Sequence, residues 1–144
     1  MFLSGDSTSK MIDIMQRSMN ASAMRANVIN NNIANATTPN YKRQDITFQA
    51  ELERALASEN QYLSMPFKTT NERHIPIFRP EDYRTVQPKK ITEYNSYQLN
   101  NGNSVDIDKE MMEGTKNTMY YNALAGRITK EFNKLKYILK NSNN

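Results

Sequence analysis

Apolar and small residues recur three and four positions apart in two long stretches, one toward each end of the chain. Ile12, Met15, Met19, Ser22, Ala26, Ile29 and Ile33 trace the first, and Ile107, Met111, Gly114, Thr118, Tyr121, Ala125, Ile128, Phe132, Leu135 and Leu139 the second. Side chains at that spacing share one face of a helix, so each run predicts a narrow stripe. Held over this length, a period of 3.5 asks for a partner helix in coiled-coil-like contact. The first helix is predicted over residues 10–35, because Pro39 disfavours helical backbone at Thr38 and closes the element upstream. The second is predicted over residues 104–140, capped by Ser104 or Asp106 after the turn signal Asn100-Asn101-Gly102-Asn103. Asp106, Asp108, Glu110 and Glu113 crowd its start and Lys130, Lys134, Lys136 and Lys140 its end, as the helix dipole favours.

Between the helices, residues 36–103 read as an irregular connecting segment. Tyr41 to Phe48 is predicted extended, and Phe48, Leu52 and Leu56 mark a short amphipathic helix over about residues 48–58. Beyond it Pro66, Pro76, Pro80 and Pro88 interrupt the chain, with short strands expected near Thr85-Val86 and Ile91 to Leu99. The predicted fold is therefore mainly α: long terminal helices packed as a coiled-coil-like pair, joined by a middle with a short helix and short strands. The whole, residues 1–144, has one domain's length.

Composition sharpens this picture at one point. Leu, Ile, Val and Phe make up 27 of 144 residues, about 19%, the level at which a chain struggles to bury a core alone. The net charge is only +4, so charge repulsion does not expand it. Two readings of the stripes stay open: a self-contained helical hairpin with a small core, or a subunit that completes its apolar faces on neighbouring molecules. Ser22, Gly114 and Thr118 would make a weak isolated two-helix contact, and seven methionines on the two helices offer adaptable surface for non-equivalent neighbours.

Candidate chemistry is sparse. The chain has no cysteine and one histidine, His74, in the irregular middle; no nucleophile elbow or phosphate loop occurs. Glu51 with Glu53, and Glu81 with Asp82, lack a partner that would tune them for acid–base work. No enzyme, cofactor or metal site is expected. A pI near 9.3, with Lys89-Lys90 and the basic end of the last helix, leaves a nucleic-acid or other acidic partner as the alternative function. No apolar run reaches the roughly 20 residues that span a bilayer, and the opening Met1-Phe2-Leu3-Ser4-Gly5-Asp6 predicts no conventional cleaved signal.

The segment Asn31-Asn32-Ile33-Ala34-Asn35-Ala36-Thr37-Thr38-Pro39-Asn40-Tyr41 resembles the motif that closes the N-terminal helix of bacterial flagellar axial proteins, the rod, hook and hook-associated subunits. The continuation Lys42 to Phe48, the stretch His74-Ile75-Pro76, and Gly102-Asn103-Ser104-Val105-Asp106-Ile107-Asp108 are most similar to the proximal rod members of the basal body. One departure is Asn40, where the family usually has glycine; asparagine tolerates the left-handed turn that glycine would supply.

The resemblance implies a structural subunit of the basal-body rod, a drive shaft and export-channel wall for motility. It implies self-assembly with copies of itself, other rod proteins, the basal adaptor protein, the membrane ring and the export gate. It also implies location in the rod within the periplasmic space, reached by type III export without a cleaved signal. Ile12, Met15, Met19, Ile29, Ile33, Tyr121, Ile128, Phe132 and Leu135 are expected to pack helices within and between subunits. Asn32, Asn35, Thr38, Pro39, Tyr41, Gly102, Asn103 and Val105 carry the family motif. Asn32 and Asn35 are expected to bond backbone groups left open at the helix end, with Pro39 and Tyr41 fixing the chain's exit.

Overall fold

A computed structural model describes residues 3–64, 80–93 and 104–141. Helix α1 runs Leu3–Ala34 and helix α3 runs Ile107–Asn141, with strand β1 at Gln44–Thr47, helix α2 at Gln49–Ser64, a single 3-10 turn at Tyr83–Thr85 and strand β2 at Lys89–Thr92. β1 and β2 form a two-stranded sheet. The chain divides into two compact units, Met1–Ile46 with Lys90–Asn144, and Thr47–Lys89.

In the first unit α1 and α3 lie antiparallel, since Ser22 meets Asn117 and Asn32 meets Glu110. α1 begins seven residues before the expected start, as nothing between Gly5 and Thr38 interrupts helical backbone. Its end follows the sequence closely. Past Ala34 the backbone tightens, with Ala36 N–H bonding Ile33 O, Thr38 N–H bonding Asn35 O and Tyr41 N–H bonding Thr38 O. Asn40 sits at φ 61°, the left-handed position expected of it. Asp106 caps α3, its Oδ1 accepting from the backbone of Asp108 at 3.0 Å and Lys109 at 3.2 Å. Ser104, the other expected cap, instead accepts from Arg43 N–H at 2.9 Å.

In the second unit α2 is longer than its apolar spacing predicted, 16 residues ending at Ser64. Phe48, Leu52 and Ala55 are buried at helical spacing, as are Tyr83 and Val86. Ser58 joins helix to turn segment: its hydroxyl donates to Ala55 O and accepts from Glu81 N–H at 3.0 Å. Thr85 and Val86, expected as strand, close the 3-10 turn instead, because Asp82 caps it by accepting from Arg84 N–H. The strand signal nearby belongs to Lys89–Thr92, which takes in Ile91.

Candidate functional site

The family-like motif is the knot of the first unit. Asn32, on the last full turn of α1, is completely buried, and its amide is fully used. Nδ2 donates to Gln44 O at 2.8 Å and to Glu110 Oε2 at 3.0 Å; Oδ1 accepts from Gln44 N–H at 3.1 Å and from the Tyr41 hydroxyl at 3.3 Å. One side chain thus grips the returning strand as a backbone partner would and holds the start of α3 as well. Asn35 Nδ2 donates to the carbonyl of Asn31 at 2.8 Å, a group that the Asn35 backbone N–H already reaches at 3.1 Å. Asn32 does not serve the helix end: helical geometry places its side chain on the face covered by β1 and α3.

Glu110 is also completely buried, and Arg43 nearly so. Arg43 Nε donates to Glu110 Oε1, Nη1 donates to Glu93 Oε1 at 2.6 Å, and Asp45 lies 3.5 Å from the same nitrogen. Burial pulls the Arg43 guanidinium downward, but its hydrogen bond to Glu110 and the charges of Glu110, Glu93 and Asp45 outweigh that, leaving it raised. Tyr41 is raised by burial and, secondarily, by the Glu110 charge. Val105, five residues before Glu110, is buried at 2% exposed. Thr38 and Pro39 stand exposed on the turn; Gly102, Asn103 and His74 lie outside the described residues.

Farther along the pair, Ser22 and Asn117 form a second buried polar contact. The Ser22 hydroxyl donates to Asn117 Oδ1 at 2.8 Å, and Asn117 Nδ2 donates to Ser22 O at 2.9 Å. Ser22 lies on the predicted seam, whereas Asn117, Glu110 and Arg43 are interior groups that the apolar spacing does not mark. Glu110 was explained by the helix dipole, and Arg43 lay in a stretch without periodicity.

The seam itself is turned. On α1, Met15, Ser22 and Ile29 are buried and Ile12, Met19, Ala26 and Ile33 half-buried, so the predicted face is the covered one. On α3 the covered positions are Glu110, Glu113, Gly114, Asn117, Leu124, Ala125, Ile128 and Glu131, a face that keeps heptad spacing but is rotated from the stripe the sequence presented. Ile107, Met111 and Thr118 are exposed, as are Tyr121, Phe132 at 55%, Leu135 at 37% and Leu139 at 69%. Toward the end of the pair a groove of about 320 Å³ opens between Thr8, Ser9 and Ile12 of α1 and Phe132, Leu135 and Ile138 of α3. Of the nine expected packing residues, Tyr121, Phe132 and Leu135 are therefore not covered by α1. Physically, α3 carries more apolar surface than one partner helix can shield.

Among the described residues no group of His, Asp and Glu is placed to hold a metal ion, and no helix is long and apolar enough to cross a membrane. The nucleic-acid alternative gains no support. At 100° per residue, Arg127, Lys130 and Lys134 fall on one side of α3 and Lys136 and Lys140 on another, so they form no single phosphate-facing stripe.

No family model matches the chain. Curated relatives do, over most of its length. The flagellar basal body rod protein FlgB of Borrelia hermsii is 34% identical over 129 residues, 90% of this chain and 95% of that protein. The Bacillus subtilis protein of the same name is 33% identical over 128 residues, covering 89% and 92%. That of Escherichia coli is 32% identical over 118 residues, covering 78% and 83%. With the Asn-Ile-Ala-Asn helix ending, the left-handed turn at Asn40 and the paired terminal helices in place, the chain belongs to the flagellar basal body rod protein FlgB family.

Proposed function

We propose that this chain is a structural subunit of the proximal flagellar rod, transmitting torque and forming part of the wall of the export channel. Its partners are copies of itself and other rod proteins, with the basal adaptor protein, the membrane ring and the export gate at the base. It resides in the rod within the periplasmic space and reaches it by the flagellar export route without a cleaved signal. No chemistry is required of it.

The observation that carries this reading is the uncovered apolar side of α3. Ile107, Met111, Phe132 and Leu139 lie on the stripe that the sequence holds at heptad spacing, yet α1 leaves them exposed. Large apolar side chains repeated along some 48 Å of helix (32 residues at 1.5 Å) gain free energy by leaving water. In a rod subunit that burial comes from neighbouring molecules.

Phe132→Asp with Leu139→Asp tests it in cells. Both side chains are exposed in the single chain, so the variant folds with unchanged helix content. The expected outcome is stable protein, absence of rods from isolated basal bodies, and no swimming. Normal rods and swimming would overturn the assignment of this stripe to assembly.

A further inference from the structure

We propose that Asn32, Arg43 and Glu110 form a register lock that makes closure of the α1–α3 pair conditional on docking of the segment leaving α1. Glu110 lies in the helix pair, yet its counter-charge does not come from either helix. α1 supplies only a neutral amide donor, Asn32 Nδ2 at 3.0 Å; the cation is Arg43, delivered by the segment that turns back through Asn40. A carboxylate fully removed from water without a cation is strongly unfavourable. The pair therefore settles with Glu110 inside only when residues 41–46 are seated. Their seating is checked by Arg43 N–H on Ser104 Oγ at 2.9 Å, by Glu93 N–H on Arg43 O at 2.9 Å, and by the two backbone bonds of Gln44 to Asn32.

The apolar contacts cannot set this register alone. Heptad spacing repeats along both helices, and beside the aliphatics Ile12, Ile29, Leu124 and Ile128 several covered positions are small or adaptable: Met15 and Ala26 on α1, Gly114 and Ala125 on α3. A slide of seven residues exchanges such positions for one another, whereas it separates Glu110 from both of its donors. A buried polar group fixing helix register is an established physical device. Here it is triggered by a third segment.

The absence of cysteine permits a clean test. Spin labels at Ala23→Cys and Asn122→Cys, both at exposed positions, report the longitudinal register by electron–electron dipolar spectroscopy. A seven-residue slide moves them by about 10.5 Å along the axis. The parent should give one narrow distance. Arg43→Met should raise the opening constant of the pair, read by amide exchange in α3, by roughly a hundredfold or more. Arg43→Met with Glu110→Leu, which removes both charges, should regain exchange protection yet show a broad or multiple distance distribution. A single narrow distance in the double variant would overturn the proposal, because apolar packing would then suffice for register. So would an unfolded double variant, or an Arg43→Met chain indistinguishable from the parent.

Discussion

Asn32 holds three segments with four hydrogen bonds, and each partner is left without a substitute when it is truncated. Asn32→Ala is expected to lower unfolding stability by about 3 kcal/mol or more, since buried orphaned donors and acceptors cost about 1–3 kcal/mol each. Urea denaturation measures this. Asn32→Asp keeps the shape but sets a second carboxylate about 3 Å from Glu110, and should be at least as damaging. Tyr41 offers a signed pH test. Its phenol is raised above the ordinary value of 10, by burial first and by Glu110 second, so the folded state favours the protonated form. That contribution is fully present below pH 10 and is lost as pH rises through the folded value. Tyr41→Phe should therefore flatten the alkaline limb of the stability profile, at a cost of about 1 kcal/mol at neutral pH for the lost hydrogen bond.

For the helices, the informative residues are the two glycines of α3. A methyl group at Gly114 would meet Ile29 Cγ2 at 3.6 Å, ordinary contact, and one at Gly126 would meet nothing within 4 Å. Neither glycine is demanded by the packing of a single chain. Gly114→Ala and Gly126→Ala should each stabilise the isolated protein by about 1 kcal/mol, the helix-propensity difference. Thermal unfolding of the single variants checks the expectation. The covered face of α3 was only partly legible, and the reason lies in these elements. Gly114, Ala125 and Ile128 belong to both the predicted stripe and the face covered in the structure, so periodicity alone fixed the spacing but not the rotation. The rotation follows from Glu110 and Asn117, polar residues that a hydrophobic pattern assigns to the surface.

At the scale of the molecule, cover along α3 thins toward its end. Glu110 and Asn117 are buried, Leu124, Ala125, Ile128 and Glu131 half-buried, and every residue from Phe132 to Asn141 exposed. Amide exchange in the dilute chain should therefore be slowest in the first half of α3 and grow faster beyond about residue 131. Assembly should erase that gradient. Uniform protection of both helices in a dilute monomer would show that the chain needs no neighbours.

Two long helices, their heptad spacing, the stop before Pro39 and the left-handed turn at Asn40 were determined by the sequence alone. Each rests on local rules: side-chain period, proline's effect on its predecessor, and asparagine's tolerance of positive φ. Which side of α3 meets α1, and the burial of Glu110 beside Arg43, were decided only by tertiary structure. A charge enters the interior when its partner arrives from another part of the chain, and no spacing within a single element records that meeting.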